Sequence, residues 1–191
     1  MPASRRASLL VIFLIVFIDL IGFGIVIPLL PLYAKHFPLE HPGPTIGLLM
    51  ASFSAMQFLF APMWGRISDR VGRRPVLLIG LCGSVIFYLL FAAASVADSL
   101  ALLFVSRIGA GIAGATISTA HAYIADITSL ENRTKGMALI GAAFGLGFTL
   151  GPMFARLAVD VEGAGLGPGP GYAAAGLSAV ALLLAWFQLQ E

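Results

Sequence analysis

The chain reads as an all-α membrane protein of six transmembrane helices, and two observations carry that reading. Hydrophobic residues make up 59% of the 191 positions and charged residues only 10%, with a mean hydropathy of +0.98. A water-soluble domain carries about 25% charged residues because its surface must face water. A soluble core of this length has no room for so much apolar area. The second observation is segmentation: the apolar residues fall into runs near the ~20 residues that cross a bilayer.

Six such runs are expected, at Leu9–Ala34, Thr45–Gly65, Pro75–Ala97, Ser99–Ala125, Gly136–Ala155 and Tyr172–Leu189, making residues 1–191 one six-helix domain. Span one opens like a secretory leader, with Arg5 and Arg6 before an apolar stretch. A leader's apolar core is about 7–15 residues, whereas this run continues to Ala34 with Asp19 in its middle. It is expected to stay in the protein as a span. Span two carries Gln57, span four Arg107 and span five several glycines; only spans one and four contain a charged residue. These two are also long enough to need tilt, a bend or projecting ends. Spans one, two and four hold the charged, amide and hydroxyl groups and are expected to line an interior, with three and six nearer lipid.

Arginine and lysine cluster on cytoplasmic sides of membrane proteins. Arg5 and Arg6 precede span one, Arg66, Arg70, Arg73 and Arg74 join spans two and three, and Arg133 and Lys135 join four and five. The opposite side holds Lys35 and Arg156. Both termini are therefore expected in the cytoplasm. The Gly- and Pro-rich stretch Asp160–Gly171 becomes an extracytoplasmic loop. Cys82 is the sole cysteine, so no intrachain disulfide forms.

Two charges lie near mid-membrane. At 1.5 Å per residue, Asp19 sits roughly 15 Å from the cytoplasmic start of span one and Arg107 roughly 12 Å from the outer start of span four. In a core about 30 Å thick they share a depth, and Gln57 reaches it from span two. A lone charge there costs at least ~2.5–3.5 kcal/mol, which facing one another or a wet cavity relieves. A buried structural pair is one reading; a proton or substrate site is the other, and intramembrane ionisable residues favour it. His121 is expected to be a hydrogen-bonded side chain rather than a relay. Ser52, Ser54, Thr116 and Ser118 are weaker candidates for lining a cavity.

The loop Gly65-Arg66-Ile67-Ser68-Asp69-Arg70-Val71-Gly72-Arg73-Arg74-Pro75 reads at its simplest as a positively charged turn with glycine where the backbone bends. Between two spans, its G-x-x-x-D-R-x-G-R-R pattern resembles the signature loop of the major facilitator superfamily. Asp19 through Pro31 is similar to the first-helix motif of its drug/proton antiporters, and Arg107–Gly114 with Ala122–Thr128 look like the tetracycline-efflux branch. Gly141, Gly145, Gly147, Gly151 and Pro152 resemble the glycine-lined fifth helix of the antiporters. Ala155 and Arg156 stand where that family places further glycines, an arginine expected to hold helices apart.

The resemblance implies the N-terminal half of the major facilitator fold, built as two inverted three-helix repeats. It implies proton-coupled efflux of a small molecule or drug such as tetracycline across the inner membrane. Asp19, Arg107 and Gln57 would serve proton coupling and substrate. Gly65, Asp69, Arg70, Gly72, Arg73, Arg74 and Asp126 would form a cytoplasmic gate, with Asp126 pairing Arg73 or Arg74 and Asp69 facing a helix N-terminus of the other half. The implied partners are the lipid bilayer, protons, a small-molecule substrate, and a C-terminal half or second copy.

Only six of twelve expected helices are present. A fragment of a longer protein is the preferred expectation, ahead of a homodimeric half-transporter or a split transporter; an inactive remnant or membrane scaffold is the alternative. No cofactor, metal or nucleic acid is expected. Nor is an enzyme: G-x-S-G and H-E-x-x-H motifs are absent from the sequence.

Overall fold

The structure, a computed structural model, describes residues 3–35, 42–158 and 167–189, with side chains described for 8–32, 42–156 and 167–189. The described residues contain eight α-helices: α1 (Ala3–Val26), α2 (Leu30–Lys35), α3 (Pro42–Val71), α4 (Arg73–Val96), α5 (Leu100–Gly114), α6 (Ile117–Ile127), α7 (Leu130–Ala158) and α8 (Gly169–Gln188). They supply six stretches long and apolar enough to cross a bilayer: Ser8–Leu32, Pro42–Val71, Arg73–Val96, Leu100–Ile127, Leu130–Arg156 and Gly169–Gln188. Most of the Asp160–Gly171 loop, the side chains of Arg5, Arg6 and Lys35, and Glu191 lie outside the described residues.

Spans one and four are each interrupted. In span one a 3-10 turn at Ile27–Leu29 joins α1 to α2 with Pro28 at its start, because proline has no N–H to continue the ladder. In span four, long enough to need tilt, a bend or projecting ends, α5 ends at Gly114 and α6 begins after Ala115 and Thr116. Gly109, Gly111 and Gly114 weaken the helix there. The Thr116 N–H bonds the Ala113 carbonyl at 3.3 Å in place of that of Ile112, four residues back.

The segment between spans two and three is shorter than the sequence suggests. Span two stays helical through Val71, and α4 starts at Arg73. Gly72 alone makes the turn, with φ 98°, where a side chain would clash. Gly65 lies inside α3, with nothing near a Cβ added there.

Span one packs along spans five and six, span four along spans two and three, and spans three and six meet between these groups. Spans one and four thus hold equivalent central places, as two three-helix repeats require. Spans one and five approach backbone to backbone. A Cβ on Gly151 would stand 2.5 Å from the Gly24 Cα, and one on Gly147 2.7 Å from the Leu20 Cβ. Gly141 and Gly145 meet nothing, so the glycines of span five divide between a packed face and an open one. Arg156 is exposed beside buried Ala155; the alanine occupies the packed position, and the arginine wedges nothing apart.

Burial adds to the expected arrangement. Half of the most apolar window in spans one and four is buried, against 6% in span two and 22% in span five. Spans two and five flank span one on the same side, where Phe23 packs on Phe53 at 4.5 Å and Phe148 at 5.8 Å between ring centroids. Their outward side chains, Phe58, Met153 and Phe154 among them, are exposed. Spans three and six, expected nearer lipid, expose Ile79, Ile86, Leu183 and Trp186 on one face and press Ser84 and Ser178 inward on the other.

Candidate functional site

Asp19 faces spans three and six. Ser178 of α8 donates to Asp19 Oδ1 at 2.8 Å, and the Ser84 hydroxyl of α4 is a second hydrogen-bond partner. Both serines are buried. Asp19 also lines two adjoining cavities. One, of about 50 Å³, includes Gln57, Ser84, Tyr88, Phe53 and Gly114 in its wall. The other, of about 30 Å³, is bounded by Leu77, Leu81, Thr116, Ile117 and Ala120. A buried water needs roughly 10–15 Å³ of such space and two to four polar partners. The larger cavity supplies both.

Arg107 does not meet Asp19. No ion pair joins them among the described residues, whose salt bridges all involve Arg73. Arg107 is fully buried, and its Nε, Nη1 and Nη2 find no hydrogen-bond partner among those residues. The guanidinium carbon lies over three rings instead: Phe91 at 5.4 Å, Phe53 at 5.8 Å and Tyr88 at 6.0 Å from the centroids. A desolvated cation–π contact is worth about 2 kcal/mol. Contacts of this kind offset part of the cost of burying the charge, which is at least ~2.5–3.5 kcal/mol. The rings face the guanidinium where no carboxylate does, and its N–H groups stay without a partner among the described residues. Tyr88 belongs to both places, ringing Arg107 and lining the Asp19 cavity.

Gln57 lines that cavity while its Nε2 donates to the Gly114 carbonyl at 3.1 Å. Trp64 donates from Nε1 to the Ile112 carbonyl at 2.8 Å. Span two thus caps carbonyls beside the break in span four, groups that a membrane interior punishes when left unpaired. Ser118 and Thr116 bond the Ala115 and Ala113 carbonyls, and Ser52 that of Leu49. Ser54 is exposed. His121 shares a 3.0 Å hydrogen bond with the Ile117 carbonyl one turn back.

Where spans two and three meet at Gly72, Arg73 gathers three partners. Its Nη1 reaches Asp69 Oδ1 at 2.5 Å and Ser68 Oγ at 2.7 Å, while Nε reaches Asp126 Oδ2 at 3.0 Å. Spans two, three and four are tied at one guanidinium. Both carboxylates are more than half exposed, so each pair contributes little stability, about 0–1 kcal/mol; the arrangement fixes geometry. A cavity of about 340 Å³ opens among Asp69, Gly72, Arg73, Tyr123 and Asp126. Of the two arginines able to pair with Asp126, Arg73 does so, and Arg74 turns away to the Trp186 carbonyl at 2.6 Å. Arg70 is exposed.

Sequence reasoning missed Ser84, Ser178, Tyr88, Phe53 and Trp64. A hydroxyl or aromatic residue in an apolar helix is common, and nothing local distinguishes these five. Among the described residues no cluster of metal-ligating side chains occurs.

Six apolar helices in two three-helix groups, with a carboxylate inside span one and an arginine bridge joining the ends of spans two, three and four, define a membrane-transporter fold. The chain belongs to the Major Facilitator Superfamily, which matches residues 12–191. It is 43% identical over 187 residues to the class C tetracycline resistance protein of Escherichia coli, covering 96% of this chain and 45% of that protein. The class B tetracycline resistance protein of Escherichia coli is 37% identical over 192 residues, covering 100% and 45%. The solved structure of the human organic anion transporter MFSD10 superposes with a TM-score of 0.84 at 32% identity, covering 100% of this chain and 49% of that one. The chain thus spans less than half the length of the curated relatives it matches.

Proposed function

We propose that the chain is the N-terminal six-helix half of a proton-coupled efflux transporter for a small molecule such as tetracycline. It acts in the cytoplasmic (inner) membrane with both termini in the cytoplasm. The observation that carries the reading is Asp19, a mid-membrane carboxylate held by two serines beside a cavity with room for water. A carboxylate so placed exchanges a proton with cavity water without crossing bare hydrocarbon. Kinship with tetracycline resistance proteins supplies the substrate class.

In this reading the open side of spans two and five, with Gly141 and Gly145 on it, is covered by the C-terminal half or a second copy. Substrate binds between the halves, where Gln57 approaches from span two. Arg107 shapes the field at Tyr88, and the Asp69–Arg73–Asp126 bridge aligns the cytoplasmic ends for a latch in which Asp69 meets a helix N-terminus of the other half. The test is substrate-driven proton movement in inverted vesicles. The chain co-expressed with a matching C-terminal half is expected to transport, and the chain alone is not. Equal activity of a demonstrably monomeric chain alone would contradict it, and inactivity of every combination would favour a scaffold.

A further inference from the structure

On the outer side of spans three and six, in their cytoplasmic halves, Leu78, Ile79 and Cys82 of α4 face Leu182, Leu183 and Trp186 of α8 across a groove of about 450 Å³. Its wall is apolar throughout, and Ile79, Leu183 and Trp186 are more than half exposed. At its cytoplasmic mouth stands Arg74. Arg74, Leu78 and Cys82 are four residues apart and so lie along one line of the helix. The line is roughly 12 Å long, most of the ~15 Å depth of one leaflet.

Arg74 is unlike its neighbour Arg73. Arg73 has two carboxylates within ion-pair distance, whereas among the described residues Arg74 has none. Its Nη2 is pinned to the Trp186 carbonyl at 2.6 Å, and its Nε is buried without a partner. A guanidinium with no carboxylate partner among the described residues, fixed over the end of an apolar channel, matches one chemistry: an acid at the head and a hydrocarbon chain below it. Guanidinium forks bind phosphate with paired hydrogen bonds, and tryptophan favours the headgroup level.

We propose that this groove is a binding site for an anionic phospholipid of the cytoplasmic leaflet. Its phosphate sits on Arg74 and one acyl chain lies between α4 and α8. The site depends on membrane residence alone, so it stands apart from the transport reading. It also gives Arg74 a task separate from the gate, in which Arg73 takes both carboxylates.

The two tryptophans of the chain are Trp64 and Trp186, so Trp64→Phe leaves one fluorophore, at the groove. The purified, delipidated protein is titrated in mixed micelles with dibrominated phosphatidylglycerol or dibrominated phosphatidylcholine. Bromine quenches indole on contact. Half-maximal quenching is expected at about fivefold lower mole fraction of the anionic lipid, the size of one basic side chain's attraction near a membrane surface. Arg74→Gln is expected to abolish that preference, and Arg70→Gln, at an exposed arginine nearby, to retain it. Should Trp64→Phe fail to fold, the same titrations on Arg74→Gln and its parent carry the comparison, with Trp64 a constant background. Equal quenching by the two lipids, or a preference that survives Arg74→Gln, would overturn the proposal. So would weak quenching by both lipids, because protein would then fill the groove.

Discussion

Ser178 donates its hydroxyl proton to Asp19 over 2.8 Å, across 159 residues of sequence. This bond joins the charged residue of span one to span six and places the carboxylate at the wall of the interior cavity. The Ser178→Ala variant, tested with a complete partner half, is expected to slow substrate-driven proton movement several-fold while leaving insertion unchanged. Ser84→Ala together with Ser178→Ala should slow it further. Full activity in the double variant would show that the serines do not position the carboxylate.

The glycines of span five give a contrast in stability. At Gly151 a methyl group would press on the Gly24 backbone, while at Gly145 it would meet nothing. Gly151→Ala is expected to destabilise the protein by about 1–3 kcal/mol, the usual penalty for overpacking. Gly145→Ala is expected to be neutral or mildly stabilising, since alanine is about 1 kcal/mol the better helix former. Thermal unfolding in detergent separates the two. Equal melting shifts would contradict the packed face assigned to Gly147 and Gly151.

Much of the fold was legible in the sequence, because hydrophobic runs and their breaks report directly on bilayer thickness. The candidate site was legible where charge announces itself. Asp19 and Arg107 stand out in apolar helices, and Arg73 and Asp126 lie in a dense, charged pattern. What makes the carboxylate's surroundings was hidden, since serine at positions 84 and 178 can bond its own helix as readily as a distant acid. Equal depth likewise suggested that Asp19 faces Arg107, but depth says nothing of azimuth, and the two point to different neighbours. The break in span four rests on tertiary partners, Gln57 and Trp64, that local propensity does not register. Gly141 and Gly147 look alike in sequence; only packing sorts them.

The Arg73 bridge offers a third test. Arg73 is shared by Asp69 and Asp126, so Arg73→Gln should release both and loosen the contact between the ends of spans two and four. Cysteines at positions 71 and 127, which leave both carboxylates in place, in a Cys82→Ser background are expected to crosslink less efficiently through a short bifunctional maleimide when Arg73→Gln is added. Transport is expected to fall far more than expression does, because exposed ion pairs contribute little to stability. Unchanged crosslinking would remove the bridge from the gate.

Orientation gives a fourth. The arginines between spans two and three, with Arg133 and Lys135, assign those segments to the cytoplasm. A reporter fused after Glu191 is expected to be active only when it reads a cytoplasmic environment. Activity on the outer side would require an odd number of crossings or an inverted orientation.

The most direct measurement on the central claim is proton flux through the complete assembly with residue 19 as the sole variable. Asp19→Asn keeps the side-chain volume but cannot titrate; Asp19→Glu keeps the acid on a longer arm. With the partner half supplied and insertion verified, Asp19→Asn is expected to abolish substrate-driven proton movement, and Asp19→Glu to retain part of it. Proton movement at the parent rate in Asp19→Asn would contradict the account.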